Sequence, residues 1–467
     1  MRPPRMGMLA PLRHRDYRLV AGGWLVSLLG DGVFRVAIAL QVYAIDPDPR
    51  SFAAVGLVWA LAQVAMLPIG GWASDRFPRR SVIIVADLWR AAAIGGIGML
   101  SVNGQLTIPL LLVLGACFGA GNAFFNPASV SLLPDLLPTE DLPRANAFFG
   151  GVKPLMLYVL GPSLGALVIR VGEPGGAFLV DGVTFIVSAG LVALVAARPV
   201  RSPDGDSRSG FLAQVRESAA GVRVVLATRW LWAGMLGAMI AGLAFHGPFE
   251  ILVPYLLIAD FGFSSGEAAV GLASIMSASG VGAILVAWLV GRWGLPRRSV
   301  LAYYVAEGTA LLALIVLGAM ILPWHGIVAG FVIGGMFTLS DVVWNTNLQH
   351  WVPRELLGRV SSLDWMVAIG LVPLSFVIVG PLGSVFGARP VLIIAGLLGA
   401  VVLLLLPLIR GAREPERLAS EAAEIEPFDP AMVSHVHAGG APISDGGGGD
   451  MVTKEPARGP STKGRGG

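Results

Sequence analysis

Long apolar blocks, separated by short polar segments, dominate the pattern of the chain. Examples are Leu106 to Cys117 and Val391 to Leu408, and the longer blocks reach the roughly 20 residues that cross a hydrocarbon core as a helix. The runs are continuous, whereas strands of a membrane barrel alternate apolar and polar residues over about ten positions. Because lipid offers no partner to an unpaired backbone group, runs of this length predict membrane-spanning helices.

The blocks predict twelve spans with polar regions around them. We place the spans at residues 19–45, 52–74, 80–101, 106–131, 145–170, 176–197, 230–258, 267–290, 299–321, 324–350, 360–383 and 388–409. Five regions follow: a cytoplasmic N-terminal segment (1–18), a six-helix half (19–197), a cytoplasmic linker (198–229), a second six-helix half (230–410) and a cytoplasmic tail (411–467). The tail combines repeated glycines with mixed charge and no periodicity, which predicts disorder.

Composition excludes a water-soluble fold. Apolar residues make up 55% of the 467 residues and charged residues only 13%, against roughly a quarter charged in soluble domains. Cys117 is the only cysteine, which leaves no intrachain disulfide and no multi-cysteine metal site, so we predict no metal. Arginine far outnumbers lysine, and glycine and alanine are abundant, which favours a bacterial source.

The arginines predict how the chain is oriented. Loops on one side hold most of them, for example Arg76, Arg79 and Arg80, whereas the opposite loops hold little beyond Arg50, Arg170 and Arg389. Positive residues collect on the cytoplasmic side of short loops. Both termini are therefore predicted to be cytoplasmic, which agrees with an even number of spans. The basic start and long first apolar block predict a retained first helix in a bacterial inner membrane.

An internal repeat divides the chain into two halves. Pro78 to Val82 recurs as Pro296 to Val300 after 218 residues, and Asn126 recurs as Asn345 after 219. The matches fall at equivalent junctions of the two predicted six-helix sets. The fold class predicted from the residues is an all-α polytopic membrane protein with two six-helix pseudo-repeat halves. Halves that rock about a central site are a recurring way to build alternating access.

The junction after the second span carries the most specific motif. Gly71-Trp72-Ala73-Ser74-Asp75-Arg76-Phe77-Pro78-Arg79-Arg80 resembles the loop signature of the major facilitator superfamily, with Pro78 where the family usually has glycine. The resemblance implies the major facilitator fold and a cytoplasmic latch that holds the two halves together, here formed by Gly71, Asp75, Arg76, Arg79, Arg80 and Arg144. Asp75 lies at a helix C-terminus, where the macrodipole disfavours a carboxylate and a partner such as Arg76 or Arg144 is expected. The alternative is that the arginines only fix orientation.

A second motif lies in the fifth span. Gly161-Pro162-Ser163-Leu164-Gly165-Ala166 is similar to the antiporter motif of this superfamily, with Ala166 in place of its last glycine. The motif residues Gly161, Pro162 and Gly165 would bend the helix and allow a close helix approach, which ordinary packing also explains. Softer matches such as Leu29-Gly30-Asp31 resemble the exporter branch that contains enterobactin exporters and macrolide efflux proteins.

Charged residues inside the spans are the candidate transport residues, because a charge at mid-bilayer costs on the order of 3 kcal/mol unless it meets a partner or a cavity. Asp31 and Arg35 lie one turn apart and form either a structural pair or a substrate and proton site. His246 and Glu250 lie one turn apart beside Gly247, Pro248 and Pro254, in a helix predicted to break, and form either a proton-coupling pair or ordinary surface residues. Asp341 is the deepest acid of the second half.

Two further intramembrane sites are predicted to be structural. Asp87 and Arg90 are spaced as an i,i+3 ion pair that tethers helix ends near the cytoplasm. Lys153, in the fifth span, is predicted to reach the interface with its ammonium group rather than to bind an anionic substrate.

We therefore predict a secondary-active transporter, a proton-coupled exporter of amphipathic small molecules such as drugs or siderophores. It is predicted to be a monomer surrounded by lipid, with protons and a small molecule as ligands and no nucleic acid. No phosphate-binding loop is present, so we predict no cofactor and the proton gradient as energy source. The alternatives are uptake or lipid transport by the same fold, or a non-transporting membrane sensor or assembly partner. We predict no enzyme activity, since no nucleophile with a base at helix spacing appears.

Overall fold

A computed structural model gives the architecture for residues 9–196 and 225–417. Within these ranges the secondary structure is helical, and twelve helices are long and apolar enough to cross a membrane. They are α1 (Arg15–Ile45), α2 (Pro49–Ser74), α3 (Arg79–Val102), α4 (Ile108–Leu136), α5 (Leu142–Val171), α6 (Pro174–Ala193), α7 (Arg229–Asp260), α8 (Ser265–Trp293), α9 (Ser299–Gly318), α10 (Pro323–Trp351), α11 (Met366–Phe386) and α12 (Ala388–Leu408). The number of spans and the helical fold class are confirmed.

Some helix ends differ from the prediction. The fourth span was expected to end at residue 131, but α4 continues through Pro134 to Leu136. One proline removes a single backbone hydrogen bond, and packing against neighbouring helices holds the continuation. Most of the predicted linker lies outside the described residues, as does the tail from residue 418 onward. Residues 411–413 form a turn and 414–417 a short helical segment, in which the Glu416 carboxylate accepts a hydrogen bond from the Leu301 backbone N–H at 2.7 Å.

Two spans contain wide π-helical turns. In α5 the turn covers Leu155–Leu160, and in α7 two such turns cover Pro248–Leu252 and Leu256–Asp260. Prolines at the start of these segments remove backbone donors, and the chain responds by widening the helix instead of interrupting it. The break expected near His246 and Glu250 is therefore a wide turn in a continuous helix.

Within each half, a few helix pairs carry most of the packing. In the first half α1 packs on α5 and α6, α2 on α4, and α3 on both α4 and α6. In the second half α8 and α9 pack on α10, and α12 packs on α9. The halves meet along two helix pairs, α2 with α11 and α5 with α8.

The contacts between the halves concentrate at the end opposite the arginine-rich loops. Gly380 of α11 packs against Arg50 and Ala53 of α2, and the Tyr43 hydroxyl of α1 donates to the Ile251 carbonyl oxygen of α7 at 2.7 Å. The buried Tyr43 ring also stacks on Phe52, with 5.7 Å between ring centroids. This end of the bundle is closed.

Toward the arginine-rich end, polar faces of both halves are exposed. Asn126 of α4 and its repeat counterpart Asn345 of α10 are both exposed, as are Lys153 of α5 and Gln349 of α10. Asp341 shares this exposed face of α10 and has Lys153 of the opposite half among its electrostatic neighbours. We interpret these exposed faces as the two walls of a cleft between the halves, open at the arginine-rich end.

Candidate functional site

An ionic bridge joins the two halves within the membrane-spanning region. Arg35 of α1 lies with its guanidinium Nη1 3.8 Å from Oε1 of Glu250 in α7. The same Glu250 oxygen lies 3.3 Å from Nδ1 of His246, one helical turn earlier in α7. Glu250 stands in the π-helical turn that begins at Pro248, which positions its carboxylate toward α1. Two residues predicted for separate pairs, Arg35 and Glu250, therefore form one site.

Asp31 lies one turn before Arg35 and borders the interior of the first half. Its side chain is half-buried, and its electrostatic neighbours are Arg90, Arg35, Asp87 and Lys153. Lys153 is exposed and is also a neighbour of Asp341. Asp31 therefore lies between the cleft and a set of charges that is packed inside the first half.

The innermost charges are Asp87 and Arg90 of α3, which form a buried ion pair with 0% and 2% of their side chains exposed. The Arg90 guanidinium lies between the rings of Phe125 and Phe185, at 3.9 and 4.3 Å from their centroids, and donates to the Asn122 side-chain oxygen at 3.2 Å. Such cation–π contacts stabilise a desolvated cation. The pair sits in the core of the first half, not at a helix end.

Asp181 of α6 completes this set and was not among the predicted site residues. Its side chain is fully buried, and the Thr184 hydroxyl lies 3.2 Å from its Oδ1. A single acid in a 20-residue apolar helix is a signal that the sequence already contains, because an intramembrane carboxyl is costly unless it has a role.

In the second half, Asp341 lines an open cavity of about 280 Å³ together with Asn345, Thr346 and Gln349. The preceding residue, Ser340, turns inward and donates to the buried Glu307 carboxylate at 2.7 Å. Asp341 is not part of the bridge between Arg35 and Glu250, and its electrostatic neighbour in the first half is Lys153. Asp341 therefore belongs to the wall of the cleft.

The predicted latch residues make their described contacts within the first half. Arg79 donates to the Ser131 carbonyl oxygen at 3.0 Å and to the Asp135 carboxylate at 2.7 Å, and Arg80 donates to the carbonyl oxygens of Val192 and Ala193 at the end of α6. Arg76 is exposed, Gly71 is half-buried, and the side chain of Asp75 lies outside the described residues. In this conformation Arg79 and Arg80 hold α3, α4 and α6 together.

Arg144, the last of the latch residues, belongs to a charged cluster around Asp141. The fully buried Asp141 carboxylate accepts from Arg144 at 2.7 Å, from Arg13 at 2.9 Å and from His14 at 3.1 Å. The hydrogen bond from His14 and those from both arginines hold the pKa of the Asp141 carboxyl below its usual range. The cluster ties the segment before α1 to the start of α5.

We expect Asp141→Asn to lower the midpoint of thermal unfolding by a few degrees at neutral pH, because the variant keeps the shape but loses the charge. Since the folded pKa is depressed, the stabilisation is complete above the ordinary aspartate pKa of about 3.9 and is lost as the pH falls through the lower folded value. Thermal unfolding of wild type and variant at pH 7 and in acid measures this difference. Equal midpoints at pH 7 would contradict the role of the cluster, and Glu140→Gln, an exposed neighbour, is the control.

The antiporter-like motif lies where α5 crosses α1. A β-carbon built on Gly161 would lie 2.7 Å from the α-carbon of Gly32, and one on Gly165 would lie 3.1 Å from the α-carbon of Val33. Ser163, on another face of the same segment, lies 3.3 Å from the Ser277 hydroxyl of α8 in the second half. Pro162 is buried at this crossing. The motif therefore packs α1 on α5 beside the contact between the halves.

Twelve helices in two halves around a cleft, with charges bridging the halves, define the chain as a polytopic transporter. The sequence profile of the Major Facilitator Superfamily matches residues 20–367, and the chain belongs to this family. The predicted family is confirmed, as is its implication that the chain is a transporter and not an enzyme.

Curated relatives include two exporters. The chain is 22% identical over 398 residues to macrolide efflux protein A of Streptococcus pyogenes, covering 84% of this chain and 95% of that protein. It is 27% identical over 418 residues to the enterobactin exporter of Citrobacter koseri, covering 86% and 94%. Twelve apolar helices and these bacterial relatives indicate a bacterial inner-membrane protein.

Solved structures share the fold at low identity. The nucleoside transporter NupG superposes with a TM-score of 0.65 at 10% identity, covering 85% of this chain and all of that chain. A bacterial homologue of the iron transporter ferroportin, in an inward-facing state, superposes with a TM-score of 0.61 at 16% identity, covering 85% and 98%. These likenesses support the fold alone.

Proposed function

We propose that the protein is a proton-coupled exporter of amphipathic small molecules, such as drugs or siderophores, that works by alternating access. The observation that carries the proposal is the bridge between the halves, in which Arg35 and Glu250 lie 3.8 Å apart beside an open cleft. Charges inside a membrane protein pair with one another or face a water-filled cavity, and they mark substrate and proton pathways. A bridge between two moving halves is made in one conformation and broken in another.

Competition for the Glu250 carboxylate supplies the coupling. Unprotonated Glu250 attracts Arg35 and the protonated form of His246, whereas a proton bound to its oxygen removes that charge. Arg35 can then pair with Asp31, which lies one turn away on α1. Proton binding to Glu250 and formation of the bridge are therefore mutually exclusive. A substrate that favours the conformation with the bridge lowers the proton occupancy of Glu250, and one that favours the other conformation raises it.

Aromatic and polar residues of the second half support an amphipathic substrate. Three half-buried aromatic rings cluster beside His246: Phe245 stacks on Phe249 with 5.0 Å between centroids and meets Phe337 edge-on at 4.7 Å. Across the same half, Asp341 and Asn345 present polar groups to the cleft. Sites of this kind combine an apolar lining with a few polar groups that fix orientation. Because one chain forms both walls, we propose a monomer as the transporting unit.

Export is the proposed direction because the relatives named above include a macrolide efflux protein and an enterobactin exporter. The antiporter-like segment at Gly161 agrees with that direction. In the predicted orientation, the open arginine-rich end faces the cytoplasm, so the conformation described here is the one that loads substrate from inside.

Everted membrane vesicles test this function directly. Vesicles energised by respiration are challenged with a panel of macrolides, dyes and siderophores while the proton gradient is followed, with wild type, Asp31→Asn and the loop control Asp46→Asn. We expect at least one compound to dissipate the gradient with wild type and Asp46→Asn, and not with Asp31→Asn. A transported compound that dissipates no gradient with wild type would contradict proton coupling.

A further inference from the structure

Asp181 occupies a buried position that the bridge of Arg35, Glu250 and His246 does not use. Its Oδ1 lies 3.2 Å from the Thr184 hydroxyl, while Oδ2 has no hydrogen-bond partner among the described residues. The carboxyl packs against the backbone of α1 at Gly30, where an added β-carbon would collide with the Asp181 Oδ1 and the Thr184 Oγ1. Asp181 is thus held against the residue that precedes Asp31.

The charges that act on Asp181 are Asp31 of α1 and Arg90 of α3. Those that act on Asp31 are Arg90, Arg35, Asp87 and Lys153. Asp87 is the partner of Arg90, and Arg35 is turned toward Glu250. Lys153 is exposed at the cleft. Asp31 and Asp181 are therefore two neighbouring acids whose shared electrostatic neighbour, Arg90, is already paired with Asp87.

Two neighbouring carboxylates in a water-poor interior do not both stay ionised, because each disfavours the charge of the other and burial disfavours both. The unpaired oxygen of Asp181 is the group such a proton would occupy, since a buried acceptor with no donor is otherwise costly. Asp87 also leaves one oxygen without a partner among the described residues, but its other oxygen is held by Arg90.

We propose that Asp31 and Asp181 form a single proton-binding carboxyl pair, in which Asp31 exchanges with the cleft and Asp181 retains the proton inside the first half. Proton uptake forms an O–H bond from a carboxylate lone pair and reduces the charge of the pair by one. Release breaks that bond and returns the pair to its ionised form. The pair is a second proton site of the proposed exporter beside Glu250, and the inference rests on that proposed function.

In this pair Asp181 favours the protonated form of Asp31, a role that packing alone does not give it. When Asp181→Asn removes the neighbouring negative charge, Asp31 loses its proton more readily. We therefore expect the pH profile of transport to move toward acid by about one pH unit, a tenfold change in proton concentration. Asparagine fills the same volume and keeps the hydrogen bond with Thr184, so substrate binding persists.

Two measurements on the purified full-length protein test the pair. The first is the pH profile of substrate-driven proton movement in proteoliposomes for wild type, Asp181→Asn and the control Asp46→Asn. The second is infrared titration of the carboxylic-acid C=O band, which reports a protonated carboxyl whether or not the protein transports. We expect Asp181→Asn to lose the Asp181 component of that band and shift the profile, and Asp46→Asn to change neither. The Asp46 carboxyl is a suitable control because the hydrogen bond from Ser51 lowers its pKa.

The outcomes separate this inference from the proposed function. If wild type moves substrate without protons, the proposed function fails. If wild type couples and Asp181→Asn keeps both the profile and the band, only the carboxyl pair is overturned. Should Asp181→Asn fail to fold, Thr184→Val decides, because it leaves the Asp181 carboxyl in place and removes its hydrogen bond. A displaced C=O band with a shifted profile supports the pair, and an unchanged band overturns it.

Discussion

Glu250→Gln is expected to reduce substrate-driven proton movement by about tenfold or more, which corresponds to a loss of roughly 1.4 kcal/mol of preference between the two conformations. Glutamine keeps the shape of glutamate and can still accept a hydrogen bond from His246. It cannot carry the charge that faces Arg35 at 3.8 Å, and it cannot bind the proton that would release that charge. The variant therefore stays in the uncharged state, in which the bridge is broken, and cannot switch between the two states.

The measurement for Glu250 is proton movement in energised vesicles at matched expression. Glu140→Gln is the control, because this exposed acid lies in the loop between α4 and α5. A Glu250→Gln protein that folds and couples like wild type would remove the bridge from the mechanism. The expected result is a variant that still binds substrate but moves protons about tenfold less or worse, because the proposed substrate surface of Phe245 and Asp341 stays intact.

Gly161→Val is expected to destabilise the protein strongly and to abolish transport. A β-carbon at this position lies 2.6 Å from the Leu29 carbonyl oxygen and 2.7 Å from the Gly32 α-carbon, so a valine drives α1 and α5 apart. Overpacking of this kind costs typically 1–3 kcal/mol, and backbone atoms have little freedom to yield. Because α1 carries Asp31 and Arg35, the displacement also disturbs the bridge and the carboxyl pair.

Gly151→Val provides a matched comparison within the same helix. A β-carbon on Gly151 meets nothing within 4 Å, so the substitution has the same chemistry without the collision. Thermal unfolding followed by size-exclusion chromatography should show a lower midpoint for Gly161→Val and a midpoint near wild type for Gly151→Val. Equal midpoints would show that the close approach of α1 and α5 contributes nothing to stability.

The fold follows from the sequence pattern because the thickness of the bilayer fixes the length of the apolar helices that cross it. Apolar length predicts spans, and the repeated segments at Pro78 and Pro296 predict two halves. Helix ends are less determined, as α4 shows by running through Pro134. The wide turns of α7 have a similar cause, since Pro248 signals a disturbance of the helix but not whether the chain breaks or widens.

The site was only partly predictable. Asp87 and Arg90 are three residues apart on one helix, so their pairing follows from local spacing. Arg35 and Glu250 belong to different halves, and their contact depends on how α1 and α7 are rotated, which packing decides. The spacing of Asp31 and Arg35 suggested a local pair, but Arg35 is turned toward Glu250. Asp181 was visible as an acid in an apolar helix, and its closeness to α1 at Gly30 emerges only from the packing of α6.

The most direct test of the proposed proton-coupled export uses purified protein in liposomes with a pH-sensitive dye inside and an imposed proton gradient. Substrate flux and internal pH are followed together for wild type and Asp31→Asn, with compounds selected from the vesicle panel. We expect wild type to move substrate and protons in opposite directions. In Asp31→Asn we expect the movement of substrate and the movement of protons to be uncoupled. Substrate movement without proton movement, proton movement in the same direction, or unchanged coupling in Asp31→Asn would contradict the account.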